Sequence, residues 1–122
     1  MNLQIAFLLG GVAGGGHDNA VSEHMRNGLW HVVGASGWLA LEPEATQIRT
    51  TEKVRAFGTE LRALAPLSGA YLNENDWAEP DWQTSFFGSN FARLRDIKLR
   101  VDPRGMLLCH NCVGSNETAL WL

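Results

Sequence analysis

The pattern of apolar and polar positions gives its best strand signal over Leu29–Ala35, which reads LWHVVGA and has His31 as its one polar side chain. The stretch is short, rich in β-branched and aromatic residues, and bounded by Gly34 and Gly37, as is typical of a β-strand. Successive side chains of a strand point to opposite faces, so Trp30 and His31 are expected on different sides. The pattern therefore predicts one strand at 29–35.

Two longer stretches repeat apolar residues at spacings of three and four, which is the pattern of an amphipathic helix. The first covers about 44–65, begins after Pro43 and stops before Pro66. Proline suits the first helical turn and cannot continue a helix, so both prolines agree with these bounds. The second predicted helix is Ser89–Val101, ended by Asp102-Pro103.

Shorter segments connect these elements. The apolar run Leu3–Leu9 stops at glycines and is interpreted as a strand or a helix end. Gly69–Asn73 is expected to be extended, and Trp82–Phe87 to form one or two helical turns. Met106–Cys109 is predicted as a short apolar strand, and the carboxylate-rich Glu74–Asp81 as a loop. Together the elements predict an α+β fold: a small antiparallel sheet with two flanking main helices packed on it.

Composition describes an ordinary globular chain of 122 residues, with 45% hydrophobic and 19% charged residues. Ten basic residues stand against thirteen acidic ones, and no basic patch is present, which argues against a nucleic-acid partner. The run Leu3–Leu9 is far too short to cross a bilayer and has no basic region before it, so neither a membrane partner nor a signal peptide is predicted.

The two cysteines lie in the sequence Cys109-His110-Asn111-Cys112. A structural zinc site needs four ligands, commonly as two separated pairs, and the second pair is missing, so no metal is predicted. A redox Cys-x-x-Cys normally opens a helix after a strand, whereas this pair precedes a Gly-Ser tail. Packing thiols or a local disulfide remain the open alternatives.

A candidate polar site lies at Tyr71, Asn73 and Glu74. Tyr71 is the only tyrosine, and on an extended backbone its phenol and the Asn73 amide would share one face. Both groups donate and accept hydrogen bonds, so the pair could line a polar ligand site. His31 is a candidate proton-transfer group, although a histidine flanked by apolar strand residues is more often simply hydrogen-bonded within a sheet.

Residues 71–115, which read YLNENDWAEPDWQTSFFGSNFARLRDIKLRVDPRGMLLCHNCVGS, resemble the C-terminal berberine-bridge-enzyme-like segment of FAD-linked oxidases of the vanillyl-alcohol-oxidase superfamily, which have a PCMH-type FAD domain. The stretch Leu29–Val33 resembles a strand of the same family's substrate domain. The matching pieces, in order, are Tyr71-x-Asn73, the aromatic turn Trp82–Gly88, Asn90-x-x-x-Leu94, Ile97-Lys98, Asp102-Pro103-x-Gly105 and the fungal-like ending Cys112-Val113-Gly114-Ser115.

The resemblance implies that residues 1–68 are a partial substrate-domain portion, 69–115 the berberine-like segment, and 116–122 a tail. It implies FAD as cofactor, with Tyr71 and Asn73 lining the flavin or substrate cavity. The position after this Asn is a catalytic tyrosine in sugar-oxidising relatives, but here it is Glu74, so carbohydrate oxidation is not implied. Glu74, with Tyr71, is instead a candidate catalytic residue, because an apolar flavin face would raise a carboxyl pKa toward a useful value.

The family reaction transfers a hydride from an alcohol or amine carbon to the flavin, and dioxygen reoxidises the flavin. The family's FAD domain, which carries the flavin-attachment residues, has no counterpart in these residues. The resemblance therefore implies a fragment whose partners would be a small-molecule substrate and the missing FAD-binding domain. The competing hypothesis is a non-catalytic remnant or interaction module that self-associates. The sequence assigns no compartment, and the resemblance is compatible with secretion.

Overall fold

The computed structural model describes residues 19–115 and the backbone of residues 2–8, and these contain more helix than strand. The elements in chain order are strand β1 (Asn2–Leu8), helix α1 (Glu23–Asn27), strand β2 (Trp30–Ser36), helix α2 (Glu44–Leu64), helix α3 (Trp82–Phe87), a 3-10 turn (Gly88–Asn90) and helix α4 (Phe91–Val101).

The two strands pair antiparallel, with Asn2 opposite Ser36 and Leu8 opposite Trp30. β2 begins and ends one residue later than the predicted 29–35. Trp30 is exposed on β2 and its neighbour His31 is half-buried, in keeping with the expected alternation. Strand and helix end were both open for the run Leu3–Leu9, and its residues up to Leu8 lie in β1, whereas Leu9 lies outside the described residues.

α2 follows the predicted 44–65 to within one residue. The Pro43 carbonyl accepts from the Thr46 N–H at 2.8 Å, which closes the first turn without a side-chain cap. Phe57 lies near the middle of the helix and packs against β2 so closely that a Cβ at Gly34 would overlap its ring. The predicted apolar stripe is half-buried in the middle, but its end residues Ile48 and Leu64 are exposed.

A small aromatic core forms where α3, the 3-10 turn and α4 meet. Trp82 and Phe86 are the buried hydrophobic residues of the described chain. The Trp82 ring meets the Phe91 ring edge-on, with centroids 5.6 Å apart, an arrangement that aromatic pairs favour. The short predicted helical segment at Trp82–Phe87 is confirmed, and the second main helix follows it through the 3-10 turn.

Three expectations about the elements are wrong. Gly69–Asn73 forms no strand in the described chain, because the backbone turns over Leu72–Glu74. Met106–Cys109 is not a strand either, since the carboxylate of Asp102 accepts the N–H groups of residues 106 and 107. The two main helices do not share one sheet: α2 packs on β2, whereas α4 packs on α3.

The described residues form two compact units. The first holds β1, β2 and α2. The second holds residues 19–26, with most of α1, and residues 69–115 with α3 and α4. The predicted tail at 116–122 and Trp121 lie outside the described residues. Within the described ranges, no helix is both long and apolar enough to cross a membrane.

Candidate functional site

The turn at Tyr71–Glu74 brings the predicted site residues together. The Glu74 N–H donates to the Tyr71 carbonyl at 3.0 Å, which closes the turn. Within it, the Asn73 Nδ2–H donates to Tyr71 Oη at 2.7 Å. The phenol and the amide therefore lie side by side, as the sequence spacing predicted, although a turn and not an extended strand joins them. All three side chains are exposed on the second unit.

Contacts from three sides anchor the irregular segment Gly69–Pro80 that carries this turn. At its start, the Ala70 N–H donates to the Ser85 carbonyl of α3 at 2.9 Å. Near its end, Ser85 Oγ donates to Glu79 Oε1 at 2.7 Å. Within the segment itself, Asn75 Nδ2 donates to the Leu72 carbonyl at 2.7 Å. Side-chain and backbone hydrogen bonds thus replace the ladder that a strand would have made.

Gly69 allows the segment to pass close to α1 and α3. A Cβ at this position would overlap the His24 ring and approach the Ser85 carbonyl oxygen closely. His24 Nε2 is buried there without a hydrogen-bond partner. A glycine is therefore required where the chain enters the candidate site.

A disulfide-closed loop provides the third anchor. Cys109 and Cys112 form a disulfide, with their Cα atoms 5.3 Å apart. Of the two alternatives that the sequence left open, packing thiols and a local disulfide, the structure contains the disulfide. His110 and Asn111 lie inside this loop, and both hydrogen-bond the carbonyl oxygen of Trp77. The sequence suggested His110 only as a metal ligand. The signal for its contact with Trp77 was its position inside a Cys-x-x-Cys loop that a disulfide can close.

The described residues offer no metal-binding cluster. Among residues 19–115, no three His, Cys, Asp or Glu side chains cluster in a way that could hold an ion. His31, the candidate proton-transfer residue, lies on β2 in the first unit and not in the unit that carries the turn.

Two carboxylates stabilise the surroundings of the site, and neither was predicted as a site residue. Glu23 of α1 accepts from the N–H of Ser89 at 3.0 Å and from its hydroxyl at 3.2 Å, across 66 positions of sequence. The pKa of Glu23 is lowered, first by its own backbone N–H and then by the N–H of Ser89. Separation along the chain explains the omission, because no local pattern links residues so far apart.

Asp102 closes the turn after α4. Its Oδ2 receives Lys98 Nζ at 2.5 Å, and its side chain also accepts the N–H groups of Leu107 and Met106, each at 2.9 Å. These donors, with Lys98 the largest contribution, lower its pKa from 3.8 to about 2. The predicted motif Asp102-Pro103-x-Gly105 thus has a structural explanation in this hydrogen-bonded turn.

Known proteins resemble this chain in sequence and in fold. Residues 70–111 match the family described as berberine and berberine like. This stretch is the berberine-like C-terminal segment of fungal FAD-linked oxidoreductases. The segment contains Tyr71, Asn73 and Glu74, the aromatic core, α4 and the anchoring loop up to Asn111.

Curated fungal relatives extend the similarity beyond the berberine-like segment. FAD-linked oxidoreductase ffsJ of Aspergillus flavipes is 38% identical over 104 residues, which are 84% of this chain and 17% of that protein. FAD-linked oxidoreductase cheF of Chaetomium globosum is 34% identical over 93 residues, 75% of this chain and 15% of that protein. The chain therefore spans less than a fifth of the length of these relatives.

The fold is also that of part of a known flavoprotein. A crystal structure of a VAO-type flavoprotein from Myceliophthora thermophila C1 superposes with a TM-score of 0.82 at 24% identity, covering 94% of this chain and 21% of that one. The described α+β arrangement is thus a portion of a VAO-type fold.

The residues of the berberine-like segment fit a flavin or a polar substrate in the chemistry of their donors and acceptors. A phenol and a carboxamide lie 2.7 Å apart on an exposed turn, and a carboxylate follows directly. Such groups hydrogen-bond the polar edge of a planar heterocycle or the hydroxyl of a substrate.

Proposed function

We propose that this chain is the C-terminal, substrate-side portion of an FAD-dependent oxidoreductase that oxidises an alcohol or amine carbon. The carrying observation is the match of residues 70–111 to the berberine-like family, with all three candidate site residues inside it. The similarity to curated FAD-linked oxidoreductases over most of this chain supports the same reaction class. Bound FAD supplies the hydride acceptor, and dioxygen serves to reoxidise it.

Each site residue has a separate role in this proposal. Tyr71 and Asn73 line one wall of the cavity and orient the substrate through the phenol and the amide. The Glu74 carboxylate accepts the proton from the substrate O–H or N–H while the carbon gives up its hydride. A positioned general base of this kind contributes about 10²–10⁴-fold to rate. The FAD-binding domain that would complete the cavity is the partner this proposal requires.

The experiment combines the chain with a separately produced FAD-binding domain of a fungal relative. Benzyl alcohol and benzylamine are added without oxygen, and loss of the oxidised flavin's visible absorption is followed. Glu74→Gln is expected to slow bleaching by about 10²-fold or more, because its amide cannot accept the proton.

Asp76→Asn is the matched control, a nearby carboxylate whose oxygen accepts the Ala78 N–H at 3.0 Å. The flavin in the Asp76→Asn sample should bleach at the wild-type rate. Equal rates for wild type and Glu74→Gln, with flavin retained in both, would refute Glu74 as the base.

A second candidate function is a non-catalytic interaction module that self-associates. Large apolar side chains on the first unit favour it, since Leu41 is fully exposed and Leu64 is 82% exposed. Exposed apolar surface of this kind marks association sites. Light scattering of the purified chain tests it: a concentration-dependent oligomer that takes up no flavin, alone or with the FAD-binding domain, supports the module and contradicts the oxidoreductase.

A further inference from the structure

The two residues inside the Cys109–Cys112 loop converge on one backbone oxygen. His110 Nε2 lies 2.6 Å from the Trp77 carbonyl oxygen, and Asn111 Nδ2 lies 3.2 Å from it. A carbonyl oxygen only accepts, so His110 Nε2 carries a proton and donates it. Both lone pairs of this oxygen are thereby engaged by residues 33 and 34 positions further along the chain.

Ring stacking adds to the same contact. The His110 imidazole lies on the Trp77 indole with centroids 3.6 Å apart and an interplanar angle of 3°. Asn111 is buried and takes a left-handed backbone conformation, φ 54°. The disulfide closes the loop around these two residues, and so limits the positions they can take.

Burial does not fix the segment that receives these contacts. The Trp77 side chain is 71% exposed, so little apolar burial holds it in place. Trp77 follows the Tyr71–Glu74 turn after two residues and precedes Glu79, whose N–H donates to the Asp76 carbonyl at 3.0 Å. The contacts from the closed loop therefore restrain the segment just beyond the turn, on the C-terminal side of the candidate site.

We propose that the disulfide-closed loop Cys109–Cys112 is a positioning device for the Tyr71–Glu74 turn. His110 and Asn111 hydrogen-bond the carbonyl oxygen of Trp77. These bonds restrain the short segment that follows the Tyr71–Glu74 turn. Opening the disulfide frees the loop, and the turn then loses one of its anchors. The consequence for flavin or substrate rests on the proposed function, whereas the mechanical link between loop and turn does not.

The bond is chemically accessible for such a change. Cys109 is exposed and Cys112 is half-buried, so a small dithiol can reach a loop sulfur. A thiolate of the reductant attacks one sulfur and the Cys109–Cys112 bond breaks. The second reductant thiol then displaces the protein sulfur, so that both cysteines become thiols and the reductant's own sulfurs become a disulfide.

Amide hydrogen exchange of the full chain tests the link without any flavin. The reporters are the N–H groups of Glu74 and Glu79, each bonded within the segment at 3.0 Å. Reduction with dithiothreitol is expected to raise their exchange on the order of tenfold, the size of losing one net hydrogen bond. The N–H of Asp102, bonded to Lys98 at the end of α4, is the control and should keep its rate.

Two substitutions separate positioning from general destabilisation. Asn111→Gly keeps the left-handed backbone while deleting the amide donor, and His110→Phe keeps a stacking ring while deleting the Nε2–H donor. Each should raise exchange at Glu74 and Glu79 in the oxidised protein. Unchanged reporters after reduction and in both variants, or an equal rise at Asp102, would overturn the proposal.

A separate measurement keeps this proposal distinct from the proposed function. If the wild-type chain with an FAD-binding domain retains no flavin, the oxidoreductase proposal fails and the exchange result stands. If wild type retains flavin, reduction is expected to lower its retention together with the loss of protection at Glu74.

Discussion

At the residue scale, hydrogen-bonded carboxylates and amides hold the polar side chains of the second unit in place. The Asn73 amide donates to the Tyr71 phenol, the Ser89 N–H donates to the Glu23 carboxylate, and the Lys98 ammonium donates to the Asp102 carboxylate. The Asp102 side chain is only 9% exposed, and its carboxylate accepts the N–H groups of Met106 and Leu107 in the turn after α4. Such charge-assisted bonds are stronger than bonds between neutral groups.

Acid should weaken the fold through Asp102. Its folded pKa of about 2 lies below the ordinary value of 3.8, so its contribution is complete above about pH 4 and is lost as pH falls toward 2. Asp102→Asn is therefore expected to lower stability at neutral pH and to remove part of the acid dependence. Thermal unfolding followed by circular dichroism between about pH 4 and pH 2 measures this. Parallel pH profiles for wild type and variant would contradict the assignment.

Some of the site could be predicted from residue spacing and some could not. Tyr71 and Asn73 are two positions apart, and both an extended strand and a tight turn bring such side chains together. The prediction therefore succeeded for the contact and failed for the backbone. Glu23–Ser89 and Trp77–His110 join residues 66 and 33 positions apart, and the local sequence carries no signal for such pairs.

At the element scale, the sequence pattern predicted both main helices and β2 to within two residues, but failed at the short apolar run Met106–Cys109. The helix over Glu44–Leu64 has many turns, so its apolar spacing and its two bounding prolines reinforce one another. A four-residue apolar run such as Met106–Cys109 has no such redundancy. Nearby hydrogen-bond donors and acceptors decide its structure. Here the Asp102 carboxylate accepts the Met106 N–H, and Cys109 is bonded in the disulfide.

The contact between β2 and α2 gives the element-scale prediction. Gly34→Ala places a Cβ against the Phe57 ring and should destabilise the chain by about 1–3 kcal/mol, as overpacking does. Gly37→Ala is the matched control, because a Cβ there meets nothing within 4 Å. Urea unfolding of the two variants compares them. Equal midpoints for Gly34→Ala and wild type would show that this contact does not pack β2 on α2.

At the scale of the whole molecule, the chain matches one portion of larger proteins. It covers 21% of the VAO-type flavoprotein that it resembles in fold, and 17% of the relative ffsJ. The berberine-like segment provides a polar turn, an aromatic core and a disulfide-closed loop. In the proposed enzyme, the flavin and its attachment residues would be contributed by another part of the protein.

Flavin retention tests the central claim most directly. The chain is purified with FAD alone and together with a separately produced FAD-binding domain, and the visible absorption spectrum is recorded after gel filtration. The account predicts a flavin spectrum that co-elutes with the chain in the two-component sample and weakens in the double variant Tyr71→Phe with Asn73→Ala. A chain that elutes without flavin in both samples would contradict it.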